Sequence, residues 1–383
     1  MNAIASMPAV TARPRSSFTY FGYALFVPLG IVTTLLGPIL PLLTVRWTIS
    51  SAQAGQLFSW QFVASTLGTL ISGLLLSKRG FRIPIAMGTA LCLFGVAILI
   101  RADWALGRYA VACYGFGLGT SLPAVNLGVA EANARGRAGS VSLLNFCWGI
   151  GAIAAPVLLR GLRSLDAFLL SVCALLVVGI VGAMLFRMPE RRQGQRLSEP
   201  GRVVLGTALV LAALMFLLCG VENSVGGWAS TLALPSFSSA YTAATANIAF
   251  WAFFLASRAL APIVLRKVSE AWLLVASIAV ASAGVLAFYF AGGAIAILLA
   301  CGLAGLGIGP GFPLLISRVS SLIGSENPAA TVCFAFAGFG AATLPNLMGL
   351  VGSRSAQPRF ELIVPFLGLI LALPLLRRGA ARQ

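Results

Sequence analysis

G-F-G-L-G-T-S-L-P at residues 115–123 and G-L-G-I-G-P-G-F-P at residues 305–313 share one signature, Gly-x-Gly-x-Gly-x-x-x-Pro, 190 residues apart inside apolar runs. A second set keeps the register: Gly149, Gly151, Ala152 and Pro156 recur 189 residues later as Gly338, Gly340, Ala341 and Pro345. Gly30 and Gly37 map in the same way onto Gly220 and Gly227, and Trp60 and Phe62 onto Trp251 and Phe253. With 42 glycines in 383 residues any one match could be chance, but a series in chain order at a near-constant offset marks an internal repeat. The chain therefore reads as two related halves of about 190 residues. Parallel repeats of six spans each are a pattern of secondary transporters, which place substrate between the halves near the bilayer midplane.

Composition fixes the solvent. At 59% hydrophobic and 9% charged residues, with mean hydropathy +0.97, the chain lacks the polar surface a soluble protein of this length needs. About 20 apolar residues cross a bilayer core as a helix, and such runs recur throughout. They predict an all-α membrane protein with twelve transmembrane helices, near 18–44, 53–76, 83–101, 107–131, 139–159, 166–186, 204–230, 241–264, 271–290, 293–317, 329–351 and 360–376. The expected organisation is a cytoplasmic tail (1–17), a six-helix bundle (18–186), a polar cytoplasmic linker (187–203), a second six-helix bundle (204–376) and a short cytoplasmic tail (377–383). Other connections are short, so no soluble catalytic domain is expected between helices. The first apolar run is too long for a signal-peptide core and is read as a retained helix.

The net charge of +17 is explained by topology rather than by nucleic acid. With the N-terminus inside, eighteen Lys and Arg residues fall in the inner loops and tails and seven outside, leaving Arg258 within a span. That asymmetry follows the positive-inside rule and puts both termini in the cytoplasm. The absence of any Asn-x-Ser/Thr sequon disfavours a glycosylated surface protein, so a bacterial cytoplasmic membrane is expected. Seven cysteines lie in apolar spans with no Cys-x-x-Cys pair and read as packing thiols. With no histidine there is no histidine metal site, Ser-His-Asp triad or histidine relay, and no Walker loop is present. No enzyme activity, metal or cofactor is expected.

Of nine acidic residues, eight lie in loops or near span ends, and Glu222, in L-C-G-V-E-N-S-V-G-G-W, is the exception. A carboxylate at membrane depth is costly enough to mark function, and this one suits proton binding and release; capping a broken helix beside Gly226 and Gly227 is the alternative. The repeat pairs its neighbourhood with Thr33 and Thr34. Amides beside aromatic rings supply a candidate cavity for a hydroxylated neutral solute: Asn145 and Trp148 at i, i+3, Asn247 and Trp251 at i, i+4, then Asn126, Asn223 and Thr34. Trp60 joins them on one face with Gln53 and Gln56. Interhelical hydrogen bonding is the alternative for each amide, and the default for Asn346. Trp47, Trp104, Trp228 and Trp272 sit near span ends, where an interfacial belt is expected.

The chain resembles the major facilitator superfamily over essentially its whole length. G-L-L-L-S-K-R-G-F-R (73–82) is similar to that superfamily's loop motif G-x-L-x-D-R-x-G-R, with Ser77 at the Asp and Lys78 at the Arg. S-R-A-L-A-P-I-V-L-R-K (257–267) keeps the basic character at the equivalent place. The resemblance implies a cytoplasmic gate at Lys78, Arg79, Arg82, Arg258 and Arg266. Segments 30–41, 145–156, 220–228 and 305–313 are most similar to the fucose/glucose/galactose:proton symporters. Proton-coupled members carry carboxylates in spans one and four, where this chain has Thr34 and Leu122, so attention shifts to Glu222 and uniport or sodium coupling stays open. The expected partners are a small solute, a proton or sodium ion, and the bilayer, with a monomer able to work alone. The alternatives are a drug or metabolite exporter of the same fold, and a non-transporting scaffold or receptor.

Overall fold

The computed structural model describes residues 17–133, 136–189, 205–323 and 328–380, so most of the N-terminal tail and of the expected linker lie outside the described residues. Fourteen α-helices among them form twelve membrane spans. Span one is broken into α1 (Ser17–Thr33) and α2 (Leu36–Trp47). Spans two to six are α3 (Ser51–Arg79), α4 (Arg82–Leu99), α5 (Trp104–Ala132), α6 (Arg137–Leu162) and α7 (Leu165–Leu185). Spans seven to nine are α8 (Leu205–Ala233), α9 (Ala240–Val264) and α10 (Glu270–Phe290). Span ten is broken into α11 (Ala294–Ile308) and α12 (Gly311–Leu322), and α13 (Pro328–Gly352) and α14 (Ile363–Ala380) complete the second half. Ten of the twelve are long and apolar enough to cross a bilayer by length and composition alone. The others are α5, whose glycines and Asn126 dilute its apolar character, and the shorter α14. Alternation of helix direction puts the start of α1, the end of α14, the end of α7 and the start of α8 on one side, the linker side.

The repeated glycines are contact surfaces between helices. A methyl group on Gly115 or Gly119 would strike the α3 backbone at Gln61 and Ser65, and one on Gly117 would strike α4 at Gly88 and Cys92. In the second half, Gly305 and Gly309 meet α9 at Phe250 and Phe254, and Gly307 meets α10 at Ala281. Alternate glycines thus seat one helix against two neighbours at backbone distance, as small residues do in membranes. Gly151 and Gly340 do the same within each half, against α1 at Val27 and α8 at Phe216. Gly149 and Gly338 face across to the other half, against Leu255 and Thr66.

Proline explains both breaks. The carbonyl of Thr34 would pair with the nitrogen of Pro38, and that of Gly309 with Pro313, but neither proline has an N–H to give. Helix starts on the far side are capped in matching fashion: Ser50 with Gln53, and Ser239 with Thr242, each form a capping box. Gln53 is therefore a cap.

Each half is also cinched by an arginine on its far side. Arg46, ending α2, pairs with Asp166 of α7 at 2.7 Å and donates to the Ile100 carbonyl at the end of α4 at 3.2 Å. Arg359, preceding α14 with φ 62°, donates to Leu232 O at the end of α8 (3.2 Å) and to Phe288 O (3.3 Å) and Ala291 O at the end of α10. Cations suit exposed carbonyls at helix C-termini. Two tryptophans depart from the interfacial expectation: Trp228 is 1% exposed and donates to Pro345 O at 3.1 Å, and Trp47 donates to Ala102 O at 2.6 Å. Both are drawn inward because these ends lie under neighbouring helices. Trp272, 58% exposed, keeps the outward position.

Contacts between the halves concentrate toward the far side. Gly37 of α2 sits on Gly226 and Asn247, Gly55 on Asn346 and Gly349, and Ser59 Oγ donates to Ala342 O at 2.8 Å. On the linker side the first turns of α6 are largely exposed, as is Asn145. The molecule is closed at one end and open toward the linker.

Candidate functional site

A cavity of about 320 Å³ lies between the halves, within the range of small-ligand pockets. The first half contributes Thr33 and Thr34 at the α1–α2 break, Phe58, Gln61 and Phe62 of α3, Leu122 and Asn126 of α5, and Asn145 and Trp148 of α6. The second contributes Cys219, Glu222, Asn223, Gly226 and Gly227 of α8, Trp251 and Arg258 of α9, Phe312 of α12, and Ala337, Gly338 and Ala341 of α13.

The first-half wall is neutral and tied to its break. With Gly37 N–H turned to Thr34 O, the Thr33 carbonyl is left free and accepts from Gln61 Nε2 at 2.8 Å. Gln61 Oε1 in turn accepts from the Tyr114 hydroxyl at 3.0 Å, so this buried amide is held at both ends. Thr33 Oγ1 donates to Leu29 O (2.7 Å) and accepts from the Trp148 indole (3.3 Å). Asn145 Nδ2 donates to Val141 O at 2.9 Å and Asn223 Nδ2 to Cys219 O at 2.9 Å, so each leaves its Oδ1 as an acceptor for a ligand.

The second-half wall holds the charge. Glu222 Oε2 lies 3.4 Å from Arg258 Nη2, with side-chain exposures of 13% and 19%. Arg258 Nε donates to Gly309 O at 2.9 Å, the carbonyl that Pro313 leaves without a helical partner. The guanidinium lies over the Phe254 ring at 4.1 Å and reaches the Trp148 ring of the other half at 6.0 Å. Trp148 and Trp251 meet edge to face across the halves at 5.8 Å, and the Trp251 indole N–H is buried without an acceptor among the described residues.

Of the residues singled out from sequence, Thr34, Asn126, Asn145, Trp148, Glu222, Asn223 and Trp251 come together here. Asn247 does not. It is fully buried, accepting from Ser230 and donating to Gly226 O, one helical turn beyond Trp251 toward the closed end. Trp60 also lies elsewhere, 37% exposed and edge-on to Tyr109 on the outer surface, because its neighbour Gln61 takes the inward face. The signal for Gln61 is its spacing with Ser65, Gly68 and Ser72, which turn one polar or small face toward α5. Arg258 corrects the gate expectation, since it sits inside the cavity with Glu222. Lys78, Arg79, Arg82 and Arg266 are exposed at the linker side, and Arg82 donates to Phe186 O at 3.2 Å. Among the described residues no group of three His, Cys, Asp or Glu side chains comes close enough to hold a metal.

The family described as Major Facilitator Superfamily matches residues 22–345. A search among curated protein sequences found no significant match. Among solved structures, the xylose transporter XylE of E. coli in an inward-open conformation aligns with TM-score 0.75 and 13% identity over 94% of this chain and 95% of its own. A mutant of the nucleoside transporter NupG aligns with TM-score 0.76 and 14% identity over 95% and 99%. A variant of the E. coli fucose:proton symporter FucP aligns with TM-score 0.63 and 17% identity over 94% and 98%. At these identities the structures speak for the fold, and the family match for membership. The chain belongs to the Major Facilitator Superfamily and is a multi-pass membrane transporter, not an enzyme.

Proposed function

We propose that the chain carries a small polyhydroxylated solute, a sugar or polyol, across a bacterial cytoplasmic membrane by alternating access, with a proton moving on Glu222. One observation carries this reading: the cavity between the halves joins free amide oxygens to a single ion pair and is closed at one end. Asn145 and Asn223 supply acceptors for solute hydroxyls, and Trp148 and Trp251 supply flat apolar faces for a sugar ring. By the positive-inside rule the linker side is cytoplasmic, so both termini are inside and the cavity faces inward. Rocking about the Gly149–Leu255 and Gly338–Thr66 contacts would close the linker side and open the other. The names of the structural neighbours, transporters of fucose, xylose and nucleosides, agree with a hydroxylated solute.

The test is a thermal-shift and tracer-exchange screen of purified protein against sugars, polyols, amino acids and hydrophobic drugs. A sugar or polyol should stabilise the protein and exchange across proteoliposomes, and Asn145→Ala should weaken both. Hits confined to hydrophobic cations would replace this reading with drug export, which the aromatic lining would accommodate. A protein that exchanged nothing would be a scaffold or receptor.

A further inference from the structure

We propose that the transported solute carries a carboxylate, which takes the open edge of Arg258 in exchange for Glu222; its class is then the sugar acids, uronic or aldonic. This rests on the transport reading above and narrows it.

Arg258 is held in place without Glu222. Its Nε–H is fixed to Gly309 O at 2.9 Å and its plane lies 4.1 Å over Phe254. Glu222 touches it through one oxygen at 3.4 Å, whereas Arg46 and Asp166 in the same molecule approach to 2.7 Å. Charge-assisted pairs normally sit near 2.7–2.9 Å, so the carboxylate of Glu222 is loosely engaged. Both N–H groups of Nη1 have no acceptor among the described residues, and with the second N–H of Nη2 they form a planar edge suited to a carboxylate. Trp251, which lines the same cavity, also has a buried indole N–H without an acceptor among the described residues. The hydroxyls of the solute then meet the oxygens of Asn145 and Asn223.

Charge decides between an acidic and a basic solute. A cation drawn to Glu222 would strip Arg258 of its counter-charge, and a guanidinium cannot shed its proton. An anion drawn to Arg258 displaces Glu222, and a carboxylate can be neutralised. An ionised Glu222 left unpaired at this depth is costly, so one proton enters from water on the open side. The exchange balances: one solute anion and one proton enter a cavity whose own pair is neutral, and no net charge is added. Cys219 of α8 is the remaining ionisable residue in the lining, and the α1, α3, α5, α6, α12 and α13 walls present none.

The experiment compares binding of glucuronate, galacturonate and gluconate with glucuronamide, glucose and sorbitol on the wild-type protein, by thermal shift and by competition in tracer exchange. The amide matches the acid in shape and differs in charge. An acid should bind about tenfold or more tighter than its amide, and Arg258→Gln combined with Glu222→Gln, which removes both charges without leaving either unpaired, should erase that preference. Equal or tighter binding of the neutral compounds would overturn the acid class while leaving the sugar reading standing. Acid preference retained in the double variant Arg258→Gln, Glu222→Gln would remove Arg258 from the role. No binding of any hydroxylated solute would overturn both readings together.

Discussion

The two halves are alike where helices touch each other and unlike where they face the cavity. Gly151 and Gly340 seat α6 and α13 on the backbones of Val27 and Phe216, which are themselves 189 residues apart. Ser50 and Ser239 cap matching helices, and the far ends of both bundles are drawn together by one arginine each. The cavity walls do not match: the first half offers Thr33, Gln61, Asn126 and Asn145, all neutral, while the second offers Glu222 and Arg258. Packing tolerates little change, so duplication has kept it; the charge is a one-sided addition. Alternating access needs the first property, and coupling the second.

The largest effect should come from breaking the one-sided feature. Arg258→Ala leaves Glu222 without a counter-charge and Gly309 O without a donor, and should cost about 3–5 kcal/mol, read as a lower unfolding temperature in detergent. The double variant Glu222→Gln with Arg258→Ala should recover part of that loss; no recovery would mean that the pair is not coupled. Next come the shared contacts. Gly151→Ala and Gly340→Ala each force a helix off a neighbour and should cost about 1–3 kcal/mol apiece by overpacking. Matched losses support one scaffold in two copies, and a harmless substitution in either half would break the comparison.

Smaller changes sharpen it at the cavity. Asn145→Ala removes an exposed acceptor and should weaken solute binding several-fold, in line with about 0.5–1.5 kcal/mol per hydrogen bond, while the unfolding temperature stays put. Trp60→Ala should have the least effect on binding. Trp60 and Trp251 match in sequence at an offset of 191, two residues out of step with the capping serines Ser50 and Ser239, and Trp60 meets Tyr109 on the outside while Trp251 lines the cavity. Equal losses of solute affinity in Trp60→Ala and Trp251→Ala would contradict that assignment.

The spans were legible because the bilayer imposes one strong, local rule, apolar length, and α3 to α10 fall within a few residues of the runs read from sequence. The glycine register was legible because close approach leaves no substitute. Asn145 and Trp148 could be paired by helical spacing alone. Asn247 shared the correct face with Trp251 but sits about 5.4 Å, one turn, deeper into the closed end, and spacing on one helix carries no depth relative to another. Trp60 failed through phase: one residue is about 100° of rotation, enough to send Trp60 outward and Gln61 inward. Arg258 enters the gate expectation only through the resemblance of its segment to the superfamily's loop motif. Its bond to Gly309 O depends on a proline break in a helix 51 residues away, which no local pattern displays.

The most direct test of the claim that transport chemistry resides in the second half is proton movement driven by solute in proteoliposomes, followed with a pH electrode in lightly buffered medium. The wild-type protein should take up protons together with the solute identified in the binding screen. Glu222→Gln should still exchange that solute between equal pools yet move no protons and fail to accumulate solute under an inward-directed pH gradient. Undiminished proton uptake in Glu222→Gln would place the coupling group elsewhere and contradict the account.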